Sequence, residues 1–377
     1  MAVIAVTRER QGGETRVAAT PETVKKLIAA GFTVVVEAGI GATSSYPDAD
    51  YAAAGAEMAP DAGAALAKAD ILLKVRSPSP EEIAALKSDA LVIGMLNPPQ
   101  DKATLQALAA KGVRAFTMEF VPRITRAQVM DVLSSQANLA GYRAVIEAAS
   151  AYEKVLPMMM TAAGTVAAAK VFVMGAGVAG LQAIATARRL GAVVTATDVR
   201  PAAKEQVQSL GAKFIAVEDE EFKAAETAAG YAKEMSAEYQ AKQAELVSEH
   251  IKKQDIVITT ALIPGRAAPR LVSAAQAASM RPGSVIVDLA VEQGGNVEGS
   301  RAGEVVELAG GVKIVGHANL PGRIAADASA LYARNLFAFT SLLLDKDGAF
   351  APDYEDEILK AALVTQGGAV VHPALTG

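Results

Sequence analysis

The sequence has no cysteine, no tryptophan and only three histidines, and its aromatic content is 5%. Without cysteine there is no disulfide scaffold, no thiolate metal ligand and no cysteine nucleophile. His250, His317 and His372 contain no pair at metal-ligand spacing, so no metal site is expected. A dense basic block is also missing. Lys plus Arg is 36 against 41 Asp plus Glu, a net charge of −5, which argues against a nucleic-acid-binding surface. Long hydrophobic runs are lacking too. Val171 to Ala187 is the most apolar stretch, but three glycines, Gln182 and Thr186 interrupt it. A span needs roughly 20 apolar residues, so this stretch reads as strand, turn and helix. The first ten residues carry Arg8, Glu9 and Arg10, too early for a signal peptide. Direct membrane insertion is therefore not expected.

What remains is an alanine-rich chain of 377 residues, 51% hydrophobic and 20% charged. That composition supports a packed core, and the length suggests two domains. Strands are expected at Val3–Val6, Thr33–Val36, Ile71–Val75, Leu91–Met95 and Val113–Phe116, with helical patterns between them. Thr20-Pro21-Glu22 opens one of those helices: Thr caps, Pro suits the first turn and Glu complements the dipole. Alternation of strand and helix implies a parallel sheet wrapped by helices. No glycine-rich loop follows Val6, so this half is expected to lack a dinucleotide of its own. Thr125 to Leu156 reads as one long helix or two nearly continuous ones. A second alternating block starts at Val171, with strands at Val171–Met174, Val193–Thr197, Ile256–Thr259, Val285–Leu289 and Lys313–Val315. A polar insert, Glu218 to Lys253, is expected to end in a solvated helix held by the pairs Glu238–Lys242 and Glu249–Lys253. Its first part, around Tyr231, reads as a loop. Ala325–Leu344 is a further helix that could return to the first domain, and the rest reads as a polar segment. The expected class is α/β: two doubly wound domains with parallel sheets, joined by long helices. The first domain is discontinuous (1–133 and 324–377) and the second spans 134–323.

The sharpest motif is Gly175-Ala176-Gly177-Val178-Ala179-Gly180, directly after a strand and opening a helix. Gly175 permits the tight turn, Gly177 lets a pyrophosphate approach the backbone, and Gly180 allows close packing of helix on strand. The helix N-terminus adds free N–H groups and partial positive charge. Asp198 follows the next strand, where an acidic side chain accepts both ribose hydroxyls of NAD and repels the 2′-phosphate of NADP. Val199 and Arg200 follow it, and Arg200 could instead meet a phosphate. The loop Thr260-Ala261-Leu262-Ile263-Pro264-Gly265 also lies at the carboxyl end of a strand, beside the expected cofactor, unless it is a plain turn. Asp288, after another strand, is either a ligand contact or a buried structural carboxylate.

A second constellation runs from Pro122 to Asn138. If the chain is helical from Arg126, Gln128, Asp131 and Ser135 share one face, led by Arg123. Such a face can orient a carboxamide and a ribose. The alternative reading is a helix N-terminus with Asp131 solvated.

With these motifs the chain resembles the NAD(H)-binding domain of proton-translocating nicotinamide nucleotide transhydrogenase, in its split alpha-subunit form. The likeness is carried by Arg16–Pro21, Pro122–Gln128, Ser134–Val145, Pro157–Thr165, Gly175–Ala185, Ala196–Arg200, Gly230–Met235, Thr259–Gly265 and Val371–Gly377, nearly the whole length. The resemblance implies two Rossmann-like domains and a homodimer. It implies that Arg123, Gln128, Asp131 and Ser134 contact the nicotinamide and its ribose. Gln128 would face the NADP(H) held by a beta subunit, Asp198 would bind the adenosine ribose, and Tyr231 would sit on a mobile loop. It further implies transfer of hydride from NADH to NADP⁺, coupled to proton flow by membrane subunits. The span would lie on another polypeptide, the membrane-spanning second piece of the split alpha subunit. This chain would be cytoplasmic, on the inner face of the inner membrane. The competing resemblance is to alanine dehydrogenase. The substrate-binding Arg and Lys of that family match Arg16 and Lys74. Its catalytic histidine falls near Asn97 and its aspartate near Glu292. An amide cannot perform the proton transfer that amino-acid oxidation requires, whereas hydride exchange between nicotinamides needs none.

Overall fold

The structure, a computed structural model, describes residues 1–223, 235–263 and 266–376. It divides into two units, residues 1–136 with 321–377, and residues 137–320.

The first unit is built on an eight-stranded sheet. Its strands are β1 (Val3–Val6), β2 (Thr33–Glu37), β3 (Glu57–Ala59), β4 (Ile71–Leu73), β5 (Leu91–Gly94), β6 (Arg114–Thr117), and, late in the chain, β16 (Leu363–Gln366) and β17 (Ala369–Val370). The order is β17-β16-β6-β5-β4-β1-β2-β3, doubly wound from β3 to β6. Strands β1 to β6 pair in parallel. Their apolar runs serve both faces: Ile4, Val6, Ile71 and Leu73 enter one core, Ala5, Leu72 and Val92 the other. The tail departs from the polar segment expected. Strands β16 and β17 extend the sheet antiparallel at its β6 edge, with Val364 and Thr365 fully buried. The four residues Leu363–Gln366, the first three buried, are too short a pattern to stand out in sequence.

Thr20 caps the helix Pro21–Ala29 as expected. Its partner in the capping box is Thr23, whose hydroxyl accepts the Thr20 amide at 2.9 Å. Glu22 in the first turn pairs with Lys26 at 2.8 Å and Arg334 at 2.6 Å.

In a doubly wound sheet the crevice for a ligand lies where the strand order reverses, here between β1 and β4. In this unit that place is filled by the chain's own charges. Lys74, fully buried after β4, lies 3.5 Å from Glu9 and 3.4 Å from Glu82, and donates to the Arg8 carbonyl at 2.9 Å. Glu82 also accepts from Arg10 at 3.0 Å and from Thr7. Arg16 donates to Glu14 at 2.7 and 2.8 Å and to Gln136 at 2.8 Å. Burial pushes the Glu14 carboxyl up, but hydrogen bonds from Arg16 and the charges of Arg16 and Arg76 outweigh it and hold the group at about 2. Folded Glu14 thus titrates below its ordinary 4.5, so its contribution to stability is full above that value and is lost as pH falls towards 2. Glu14→Gln is expected to lower stability at pH 7 by about 3 kcal/mol, because the Arg16 charge stays buried with its partner neutralised. At pH 2, where the folded carboxyl is about half protonated, the loss should shrink to well under about 1 kcal/mol. Denaturant melts at both pH values check this, and an equal loss at each would refute it.

The second unit carries a seven-stranded sheet. Its strands are β9 (Lys170–Met174), β10 (Val193–Thr197), β11 (Lys213–Phe214), β12 (Ile256–Thr259), β13 (Val285–Asp288), β14 (Val305–Glu307) and β15 (Lys313–Val315); a hairpin, β7 (Met159–Thr161) and β8 (Gly164–Val166), precedes them. The order is β11-β10-β9-β12-β13-β15-β14, with β14 antiparallel at the edge. Again alternate residues serve two cores: Val171, Val173, Ile256 and Ile258 on one face, Phe172, Met174 and Val257 on the other. Each such fully buried side chain contributes about 1.5–3 kcal/mol. The expected solvated helix is Ala237–Ile251, with Tyr239, Val247 and Ile251 turned inward. Glu238 pairs with Lys242 at 2.7 Å, but Glu249 takes Lys252 rather than Lys253.

Of the two readings from Thr125, the single long helix does not form; two nearly continuous segments do, the first of them not an α-helix. Thr125–Met130 is a 3₁₀ helix, the chain breaks at Asp131, and an α-helix runs from Val132 to Ala151. The later helix, Ala325–Thr340, lies wholly in the first unit, since the chain re-enters that unit at Pro321. No helix among the described residues is long and apolar enough to cross a membrane.

Candidate nucleotide site

Strand β9 is central, flanked in parallel by β10 and β12, so its carboxyl end meets theirs. The Gly175 amide donates to the Thr197 carbonyl at 2.8 Å, and the chain turns at Gly175 with φ of +104°. A Cβ there would meet the Thr260 hydroxyl at 2.5 Å. At Gly180 a Cβ would lie 1.8 Å from the Gly175 carbonyl oxygen, so helix and turn touch backbone to backbone. Gly177 is different: it has extended backbone, φ −77° and ψ −167°, and among the described residues no atom lies within 4 Å of where its Cβ would be. It stands at the N-cap of the helix Val178–Arg189, and among the described residues no side chain caps that end. Ala176 is buried, while Val178 beside the open position is exposed. An unobstructed backbone, unsatisfied helix amides and the positive end of a three-turn dipole make an anion cradle.

Asp198 follows β10 with its side chain only 7% exposed. Its Oδ2 accepts the Ala176 amide at 2.7 Å and its Oδ1 the Arg200 amide at 2.9 Å. Arg200 also adds Nε to Oδ1 at 2.9 Å and Nη2 to Oδ2 at 3.1 Å. Val199 between them is exposed.

After β12, the Thr260 amide donates to the Met174 carbonyl at 2.9 Å and its hydroxyl to the Gly175 carbonyl at 3.0 Å, tying the two loops together. The Ala261 amide donates to Asn296 Oδ1 at 3.0 Å, and Asn296 Nδ2 returns a bond to the Ala261 carbonyl at 2.8 Å. Leu262 is exposed. Fully buried Asn296 thus sets the backbone of this loop, a role nothing local in Gly294-Gly295-Asn296 revealed. Of the two readings of Asp288, the structure bears out the structural one. The carboxylate is fully buried and accepts amides of Ala290, Asn296 and Val297 at 2.9, 3.1 and 3.0 Å. Pro264, Gly265 and Tyr231 lie outside the described residues.

In the first unit, Asp131 accepts the Ser134 amide at 2.8 Å and its hydroxyl at 2.6 Å, so it caps the helix Val132–Ala151. Its own amide donates to the Gln128 carbonyl at 3.3 Å. Arg123 and Gln128 are exposed; Asp131 and Ser134 are half-buried. The single helical face proposed for Gln128, Asp131 and Ser135 does not form. The 3₁₀ turn has three residues per turn and the break at Asp131 resets the phase. Ser135 instead donates to Asn335 at 2.8 Å. The residues aligned with alanine dehydrogenase chemistry are differently placed. Arg16 and Lys74 are matched by internal carboxylates, as described above. Asn97 is exposed with φ of +47°, its amide held by Glu119 at 2.8 Å. Exposed Glu292 accepts the Asn319 amide at 3.0 Å.

Comparison with known proteins agrees with this geometry. Residues 5–140 match the N-terminal and residues 144–373 the C-terminal domain of the family described as alanine dehydrogenase/PNT. The chain is 54% identical to the first piece of the split NAD(P) transhydrogenase alpha subunit of Rhodospirillum rubrum, over 99% of both chains. It is 29% identical to alanine dehydrogenase of Halomonas elongata, over 99% of this chain and 95% of that one. A crystal structure of transhydrogenase from Sinorhizobium meliloti superimposes with a TM-score of 0.89 at 60% identity, covering 98% of this chain and 100% of that one. The chain belongs to the alanine dehydrogenase/PNT family and, within it, to the NAD(P) transhydrogenase alpha subunits.

Proposed function

We propose that this chain is the NAD(H)-binding component of a proton-translocating NAD(P) transhydrogenase, passing hydride from NADH to NADP⁺ held by a beta subunit. The open backbone at Gly177, beside a buried Asp198 at the end of the neighbouring strand, carries the reading. The residues fit the cofactor. The amides opening the helix Val178–Arg189 would take the pyrophosphate, Asp198 the adenosine ribose, and Thr260, Ala261 and Leu262 would line the approach. Pro264, Gly265 and Tyr231 join this set by resemblance alone. Bound NADH supplies the hydride. Arg123, Gln128, Asp131 and Ser134 would orient the nicotinamide and its ribose, Gln128 facing the partner's NADP(H). Asp131, already locked by two bonds to Ser134, suits a positioning task.

The same reading makes the chain a homodimer, peripheral on the cytoplasmic face of the inner membrane. It would be coupled to proton flow through the beta subunit and the membrane-spanning second piece of the alpha subunit. The alternative, an amino-acid dehydrogenase, is disfavoured by two observations. No histidine stands in Leu91–Pro99, where by resemblance the catalytic histidine of that family would fall near Asn97. The two cations aligned with carboxylate binding are neutralised by Glu14, Glu9 and Glu82.

Calorimetric titration should show NADH binding to the purified chain; no heat would refute the reading. Gln128→Asn, assayed with a beta subunit, is expected to slow transfer about tenfold while changing the NADH affinity less than about twofold, since it shortens a positioning group without touching the cradle. Equal effects on both would assign Gln128 to binding.

A further inference from the structure

The geometry points to Arg200 as a specificity-determining residue: a latch on Asp198 that is displaced by the ribose of NAD(H), and a masked receptor for a 2′-phosphate. This rests on the functional reading above and concerns the same site.

The argument is a count of lone pairs. A carboxylate offers about four acceptor positions. Asp198 uses two on Oδ1, for the amide and Nε of Arg200, and two on Oδ2, for the Ala176 amide and Nη2 of Arg200. The two backbone donors belong to the turn after β9 and the turn after β10, so they stay. The two guanidinium donors belong to a side chain about one third exposed, which can move. A ribose diol therefore gains Asp198 only by replacing Nε–H and Nη2–H, an exchange of two donors for two. This sets the role of the pair. While Asp198 is charged it holds the guanidinium against itself and presents net neutrality to the diol. A nucleotide 2′-phosphate would meet a carboxylate whose compensating cation is already engaged, and it would be rejected. Without the carboxylate charge, the same guanidinium is a planar donor fork suited to phosphate, two residues beyond the ribose contact.

The test is fluorescence titration of the full chain with NADH and NADPH, using wild type, Asp198→Asn, Arg200→Gln and the double variant. Asn at 198 keeps an oxygen for the Ala176 amide, and melting temperatures check that the turn survives. Asp198→Asn is expected to weaken NADH binding and to strengthen NADPH binding by about tenfold or more, the size of one charge-assisted contact, and the double variant should lose that gain. Arg200→Gln alone should bind NADH as tightly as wild type or more tightly, because no guanidinium is displaced, and should bind NADPH more weakly. Equal NADPH affinity in Asp198→Asn and the double variant would overturn the masked receptor. If Asp198→Asn fails to fold, Arg200→Gln decides: a tenfold loss of NADH affinity would make Arg200 a direct contact and overturn the latch. Wild type that binds neither nucleotide would overturn the functional reading itself, which the other outcomes leave standing.

Discussion

Given NADH and NADP⁺ alone, the chain is expected to show no rapid hydride transfer, and addition of a beta subunit's NADP(H)-binding domain is expected to raise the rate by several orders of magnitude. The physical reason is the need for two nicotinamides at once. Hydride passes only when donor and acceptor carbons lie about 3–3.5 Å apart with aligned orbitals, and holding them so is worth about 7–11 kcal/mol. The glycine cradle belongs to the second unit. The corresponding crevice of the first unit, between β1 and β4, is packed with Lys74, Glu9, Glu82 and Thr7. Stopped-flow absorbance at the reduced nicotinamide band, with and without the added domain, checks this. Rapid transfer by the chain alone would refute it. So would NADH formation from L-alanine and NAD⁺, which would reinstate the dehydrogenase. NADH binding without turnover in any mixture would leave a binding module only.

Gly177 and Gly180 are expected to fail in different ways. Gly177→Asp should keep or slightly raise the melting temperature. Its backbone is already in the extended N-cap conformation, no atom of the described residues obstructs the new side chain, and Asp is a favoured cap that complements the helix dipole. The same carboxylate would occupy and repel the pyrophosphate position, so NADH affinity should fall by about 100-fold or more, about 2.7 kcal/mol. Gly180→Ala places a methyl 1.8 Å from the Gly175 carbonyl oxygen. Neither partner is a flexible side chain, so helix and turn must separate, at about 1–3 kcal/mol of stability, and binding should fall with it. Melting curves and calorimetry on both variants separate the cases. Undiminished NADH binding by Gly177→Asp would remove the cradle from the proposal. Loss of stability in Gly177→Asp equal to that in Gly180→Ala would show that position 177 is packed rather than open.

Much of this molecule is readable in one dimension because its signals are local. The short apolar runs of the strands, the cap at Thr20, the glycine spacing at 175–180 and the acidic residue at 198 each depend on a few consecutive residues and on backbone geometry. What tertiary structure decided are the partners of charged and polar side chains. Asp198 and Arg200 could be read separately as a ribose acceptor and a phosphate contact, but only folding joins them through three donors of Arg200 and adds the Ala176 amide as a fourth. Asp288 could face a ligand or hold a turn until the amides of Asn296 and Val297 closed on it. Arg16 and Lys74 look like a carboxylate site until Glu14, Glu9 and Glu82 are seen to fill it, and the acids around Lys74 converge from separate segments. The phase of Ser135 relative to Gln128 turned on whether one turn is 3₁₀ or α, which its residues leave nearly balanced. Hydrophobic period and turn chemistry are properties of a segment, whereas a buried charge is defined by whatever the fold brings to it.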